Sequence, residues 1–242
     1  MDPRVIMIDK RLKGVKRIIP VVSGKGGVGK SLIASTSSLI LSRKGFKVGL
    51  LDLDFYGPTS HVVLGVSDYT FPKEDYGILP REANGVDFMS LVFYAKDRPI
   101  PFRGSDVTNA MIELLTITRW KNLDFLIIDM PPGMGEEVLD IMRLIKRGEF
   151  LVVATPSKMA IETVKRLLTL LKELGASILG VLENMRFKEN SLVVKCAEGM
   201  GVPYLGSVSF DFELEEKIGR VEEMRKSKFW KELSEVLNKV FY

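Results

Sequence analysis

The stretch Val21-Val22-Ser23-Gly24-Lys25-Gly26-Gly27-Val28-Gly29-Lys30-Ser31 decides how this chain is read. From Gly24 to Ser31 it fits G-x-x-x-x-G-K-[ST], a loop whose glycines let successive backbone N–H groups point at phosphate oxygens that side chains would keep away. Arg17 to Val22 reads as a strand running into the loop, and Leu32 to Leu41 as a helix leaving it. A helix starting at about Lys30 turns the positive end of its dipole to the phosphates. Lys30 then adds charge for the outer phosphates, and the Ser31 hydroxyl is placed to ligate Mg2+. A glycine-rich turn that binds nothing is the competing reading, and the flanking strand and helix weigh against it.

Two further strands lead outward from the loop. After Lys44-Gly45 closes the first helix, Phe46 to Leu51 reads as a buried strand delivering Asp52 and Asp54 to its C-terminal end. Alternation puts both carboxylates on one side, with Leu53 turned away. Asp124 to Ile128 repeats the pattern and ends in Asp129, followed by Met130-Pro131-Pro132-Gly133. Ligands of open parallel sheets bind at that edge, so all three acids are candidates for a phosphate and Mg2+ site. Glu149 to Ala154 and Ser177 to Leu182 read as later strands, with a long amphipathic helix between them. The expected fold is α/β, a mostly parallel twisted sheet with helices on both faces.

Composition narrows the function classes. The chain has 242 residues and no linker-like break, which predicts one domain over 1–242, with a lead-in over 1–16 whose basic residues form a solvated face. Net charge is +4, from 35 basic and 31 acidic residues, too even a mixture to argue for nucleic acid. A single cysteine excludes an internal disulfide framework and suits a reducing cytoplasm. The single His61 excludes multi-histidine metal sites and is expected on an ordinary helix after the second strand. The uncharged run from Ser31 to Ser42 is too short to span a bilayer, which needs about 20 residues. No targeting segment is evident, so the expectation is a soluble cytoplasmic protein.

Lys25, just after the first glycine, makes the loop resemble the deviant phosphate loop of the MinD, ParA and nitrogenase-iron-protein class of ATPases. The resemblance implies a homodimer with nucleotide at the interface, Lys25 reaching across to the partner's nucleotide. Asp52-Leu53-Asp54-Phe55-Tyr56-Gly57-Pro58-Thr59 is similar to the D-x-D-x-Y-G-P-S segment of the Mrp-type, ApbC-like ATPases, which carry and help assemble iron-sulfur clusters. Residues 65 to 91 look like that family's hairpin excursion, with Asn84-Gly85 as the turn, and Arg103-Gly104 like its W-R-G-P step, apart from Phe102 and Ser105. Ser105 or Asp106 is expected to cap the helix that follows. Ile128-Asp129-Met130-Pro131-Pro132-Gly133 resembles I-D-x-P-P-G-x-G-D, with Glu136 in place of the last acid.

The resemblance assigns roles. Gly24, Lys25, Gly26, Gly27, Val28, Gly29, Lys30 and Ser31 hold the phosphates of ATP, and Ser31 with Asp52 and Asp129 organises Mg2+. Lys25, Lys30 and Asp54 are catalytic, Asp54 by orienting water, while Pro132 and Gly133 form a switch sensing the γ-phosphate. Asn184 binds the adenine ring, an amide being able to pair with both a donor and an acceptor. Asp211 borders the base, in a loop that departs from the family's I-P-x-D at Ser209.

One family element is missing. A C-x-x-C pair follows the corresponding segment in Mrp-type carriers, and Arg186 to Val193 contains no cysteine. Cys196 falls at an apolar position of a predicted helix, which is the environment of a small buried hydrophobe. Two such cysteines in a symmetric dimer fall short of four cluster ligands. The C-terminal segment 221–242 is expected to be an amphipathic helix, with Phe229, Trp230, Leu233, Val236, Leu237, Val240 and Phe241 on one face. Its mixed-charge polar face favours docking on the sheet over a membrane surface. Two functions therefore stand: an ATPase of iron-sulfur assembly working with a client or a cysteine-bearing partner, or a MinD-like dimerisation switch binding a protein or membrane.

Overall fold

The computed structural model describes residues 3–95, 105–187 and 192–241. In chain order the elements are α1 (Pro3–Leu12), β1 (Val15–Val22), α2 (Lys30–Arg43), β2 (Val48–Asp52), α3 (Ser60–Val63), β3 (Arg81–Ala83), β4 (Val86–Ser90) and α4 (Val92–Ala95). They continue with α5 (Ser105–Ile117), β5 (Leu123–Asp129), α6 (Glu136–Leu144), β6 (Glu149–Ala154), α7 (Lys158–Glu173) and β7 (Ser177–Arg186). Last come α8 (Leu192–Gly199), β8 (Tyr204–Ser209), a short 3-10 turn (Glu215–Lys217), α9 (Val221–Met224) and α10 (Lys228–Phe241).

The strands form one sheet in the order β3-β4-β2-β5-β1-β6-β7-β8. Every pairing is parallel except β3 with β4. Apolar runs such as Phe125 to Ile128 suit strands covered on both faces, and all four of these side chains are buried. Register then aligns the strand ends: Asp52 and Val21 both lie opposite Asp129. Three ligand-bearing ends thus meet at the centre of one sheet edge.

The hairpin turns at Asn84 (φ 51°) and Gly85 (φ 85°), the two-residue turn whose twist matches paired strands. It is less of an excursion than the sequence suggests, because β4 joins the main sheet beside β2 from Val48↔Val86 to Asp52↔Ser90. The lead-in is also more than a solvated arm. Ile8 and Leu12 are buried, α1 packs on α5, and Arg11 donates to the Thr116 carbonyl at 3.0 Å and the Tyr76 carbonyl at 2.7 Å. Helix α5 begins at Ser105, which puts Ser105 and Asp106 in its first turn. Phe102, Arg103 and Gly104 lie outside the described residues. His61 sits buried in the four-residue α3.

The expected single helix over 221–242 is two helices. Between them Ser227 Oγ accepts from the Trp230 N–H at 3.1 Å, so the serine caps a fresh start. Helix α10 docks its apolar stripe on β8 and α2. Val236 lies so close to Gly206 that a Cβ there would stand 2.8 Å from it, and Phe241 meets the Phe125 ring edge-on at 5.1 Å. Among the described residues no helix is long and apolar enough to cross a membrane.

Candidate nucleotide site

The loop between β1 and α2 is shaped by glycines that close neighbours require. Gly29, just before α2, has φ 79°, and a Cβ there would lie 2.3 Å from Asn184 Nδ2. A Cβ on Gly24 would lie within 2.8 Å of Thr163 on α7. Asn184 holds the loop from below, its Nδ2 donating to the Val28 carbonyl at 2.9 Å. Ser23 braces it from within: its hydroxyl donates to the Lys25 carbonyl at 3.0 Å, and its own carbonyl accepts from the Gly133 N–H at 3.0 Å. The loop and the Pro132-Gly133 turn are therefore hydrogen-bonded to each other.

Beneath the loop lies a charged cluster. Lys30 is 5% exposed and its ammonium is paired with Asp129 Oδ1. Asp54 Oδ2 stands 3.8 Å from the same nitrogen, and Ser31 Oγ accepts from it at 3.3 Å. The second oxygen of Asp129 accepts from Ser60 Oγ at 3.0 Å. Asp52 lies one layer back, where its Oδ1 accepts from the Asp54 N–H at 3.0 Å and its Oδ2 from Ser90 Oγ at 3.4 Å. Burial, with Asp129's charge adding to it, pushes the Asp52 carboxyl well above the usual range against the pull of Lys30. Burial also raises Asp54, again opposed by Lys30. Asp54 and Asp129 thus share one buried ammonium, with Asp52 one layer behind them.

A cavity of about 380 Å³ opens above the cluster, lined by Ser23 and the loop from Lys25 to Ser31, with Asp54 and Pro132. Its facing wall is Thr59, Val62, Val63, Glu215 and Ile218. Lys25 lines this cavity half-exposed, so its charge is accessible from outside. Asp52, Asp129 and Asn184 are buried behind the lining, and Gly133 is reached through its bond to Ser23.

Asp211 has other work. Its Oδ1 accepts from the Glu213 N–H at 3.1 Å and its Oδ2 from the Phe229 N–H at 3.2 Å, tying the turn after β8 to the start of α10. Both oxygens thus serve backbone amides, and Glu215 and Ile218 line the cavity instead. Ser60, Ser90 and Thr163 were not singled out in sequence. Ser60 directly follows the Asp52–Thr59 segment, but its bond to Asp129 exists only through the β2–β5 register.

Iron chemistry finds a different setting. Cys196 lies on α8, 6% exposed, and burial raises its thiol pKa against the opposing charge of Lys165. Among the described residues no three His, Cys, Asp or Glu side chains converge on a point that could hold a metal ion.

The model of the family described as ParA, NUBPL iron-transfer P-loop NTPase, matches residues 14–241. An iron-sulfur cluster carrier protein of Aquifex aeolicus is 36% identical over 228 residues, covering 88% of this chain and 63% of that protein. The chain therefore spans less than two thirds of that relative's length. A cytosolic Fe-S cluster assembly factor, the Nubp2 homolog of Drosophila sechellia, is 37% identical over 226 residues, 85% of each chain. A solved nucleotide-binding protein from Archaeoglobus fulgidus, in complex with ADP and with cobalt found, superposes with a TM-score of 0.78 at 27% identity, covering 94% of this chain and 96% of that one. Phosphate loop, parallel sheet and these likenesses converge: the chain belongs to the NUBPL-type iron-transfer branch of the ParA P-loop NTPases.

Proposed function

We propose that this chain is a Mg2+-dependent ATPase of iron-sulfur cluster assembly or transfer, acting as a homodimer on clusters that a client or cysteine-bearing partner holds. The observation that carries the reading is Lys30, buried beneath the loop against Asp129 with Asp54 and Ser31 beside it. The residues suit Mg2+ as it is usually bound, through one or two carboxylates, retained waters and the substrate's phosphates. Ser31, Asp129 and Asp52 are the residues that would hold it. Bound Mg2+ supplies charge neutralisation at the β- and γ-phosphates.

The chain's own groups do the rest. Backbone N–H groups from Gly24 to Gly29 hold the phosphates, and Lys30 leaves Asp129 to meet them. Asp54, at the cavity wall, orients the attacking water. Lys25 supplies transition-state charge to the partner's nucleotide, and the Pro132-Gly133 turn follows the γ-phosphate through its link to Ser23. Asn184 supports the loop from beneath through the Val28 carbonyl, and the base is placed beside it.

The donor set for a resident cluster does not fit, since one buried thiol per chain cannot supply four thiolates. The cluster is therefore treated as cargo. Anaerobic reconstitution with iron and sulfide tests this, reading the visible spectrum and iron per dimer beside ATPase activity. Hydrolysis without a stoichiometric cluster is expected. A stable cluster lost in Cys196→Ala would make the chain a carrier in its own right, and absence of hydrolysis would defeat the ATPase reading.

A further inference from the structure

Ser60 is a fully buried hydroxyl that the ATPase reading leaves without a role. It opens α3, and its Oγ donates to Asp129 Oδ2 at 3.0 Å, while Asp129 Oδ1 holds Lys30. The carboxylate plane is set by two groups from different elements. The terminal torsion of an aspartate is broad and two-fold, so a carboxylate that loses its partners loses its aim. In the reading above, Lys30 is drawn to the phosphates when nucleotide enters. Ser60 is then the described side-chain partner left to Asp129.

The segment carrying Ser60 is closely packed, backbone against backbone. At the far end of α3, a Cβ on Gly65 would stand 2.4 Å from the Gly219 carbonyl oxygen, and one on Gly219 would stand 3.0 Å from the Val62 carbonyl oxygen. Two backbones in such contact fix the short helix against the segment that carries Ile218. A hydroxyl mounted on a clamped element can fix a carboxylate in the way a positioning group must. Leu53 N–H donates to the Asp129 carbonyl at 2.9 Å and secures the main chain but leaves the side chain free to turn.

We propose that Ser60 is a positioning residue that holds Asp129 toward the Mg2+ side of the cavity once Lys30 has moved to the phosphates. The inference rests on the Mg2+-nucleotide reading of this site. Ser90, whose 3.4 Å bond goes to Asp52, is the weaker counterpart and serves as a control.

The test measures binding of a fluorescent ADP analogue by the full chain, first in EDTA and then across a Mg2+ titration. Ser60→Ala is expected to bind in EDTA as the wild type does, and to need about tenfold more Mg2+ for half of the metal-dependent gain, the scale of one hydrogen bond to a charged group. Ser60→Thr, which keeps the hydroxyl, is expected to restore the midpoint to within about twofold. Ser60→Cys keeps the volume with a weak donor, and it is expected to show the alanine shift, including where Ser60→Ala does not fold. An unchanged midpoint in the folded Ala or Cys variant overturns the proposal. Lost binding in EDTA also overturns it, by making Ser60 a general support of the loop. A wild type whose binding ignores Mg2+ would instead defeat the underlying metal reading, which separates the two failures.

Discussion

Two parts of one sheet edge have opposite character. At the ends of β1, β2 and β5, Asp54 and Asp129 flank Lys30 with Asp52 one layer behind, and Ser31, Ser60 and Ser90 bond to members of this buried cluster. At the ends of β7 and β8, Phe187 and Phe210 stack at 5.0 Å and Phe210 meets Phe212 edge-on at 4.8 Å, with Phe187 and Phe212 both well exposed. The first region is a buried, hydrogen-bonded cluster of charges beneath the glycine-rich loop. The second presents apolar surface, and the sequence from Arg186 to Val193 contains no cysteine. The polar cluster and the apolar edge thus lie at different strand ends, and in the reading proposed above nucleotide chemistry belongs to the first while a cluster would be held by another molecule.

The largest effect that would break this contrast is loss of hydrolysis at the first region. Lys25→Ala is expected to lower turnover by at least about 10³, the scale on which a positive charge delivered to the transferring phosphoryl group acts. Binding of ATP should change only a fewfold, because the backbone amides and Lys30 remain. Steady-state phosphate release and an equilibrium nucleotide titration separate the two, and equal turnover in mutant and wild type would remove Lys25 from the mechanism.

A smaller effect sharpens how the loop is held. Gly27 and Gly29 both have left-handed backbone, φ 76° and 79°, but a Cβ on Gly27 meets nothing within 4 Å, whereas one on Gly29 meets Asn184. Gly27→Ala should cost about 1–2 kcal/mol of backbone strain. Gly29→Ala should cost more than that and weaken nucleotide binding by at least about tenfold, since the amide beneath must also move. Adding Asn184→Ala to each variant tests the difference: it should relieve part of the Gly29→Ala loss and none of the Gly27→Ala loss. Equal relief would mean that Asn184 does not shape the loop.

These residues also mark how far sequence reading reaches. The placing of the loop from Gly24 to Ser31 between β1 and α2, and of Asp52, Asp54 and Asp129 at strand ends, was legible because these are local patterns, and the parallel sheet follows from apolar runs alternating with helices. Helix α1 was missed although Val5, Ile8 and Leu12 recur at helical spacing, because its charged residues dominate the segment. The break at Ser227 was hidden inside one continuous amphipathic stripe. Ser60 and Asp211 were illegible for a different reason. Their partners lie 69 and 18 residues away, and only strand register or helix docking chooses between a cavity and a cap.

On α8 the expected effects are smaller. Burial holds the Cys196 thiol protonated longer than an ordinary one, with Lys165 opposing. In the unfolded chain the thiol ionises near about pH 8.5, before the native one does. Between those two values the unfolded state binds fewer protons, so this group's contribution makes stability fall as pH rises. Urea melts of wild type and Cys196→Ala from pH 7 to 10 should show a shallower decline in the mutant. Thiol reagents should modify native protein far more slowly than urea-unfolded protein at pH 8. Fast native modification would mean an accessible thiolate and would reopen Cys196 as a ligand.

The smallest expected change concerns what the exposed rings are for. Phe212 is largely exposed and meets Phe210 in a T-shaped contact, so Phe212→Ser should alter folding stability by no more than about 0.5 kcal/mol. The buried counterpart Trp230→Ala, on the docked face of α10, should cost about 3–5 kcal/mol. If α10 used its stripe on a membrane, that ordering would weaken and the protein would pellet with anionic vesicles when ATP is present. With the stripe committed to β8 and α2, neither wild type nor Phe212→Ser should pellet. ATP-dependent pelleting abolished by Phe212→Ser would give the aromatic edge, and not the C-terminal helix, the role of a membrane contact, and would bring the MinD-like switch back as the stronger reading.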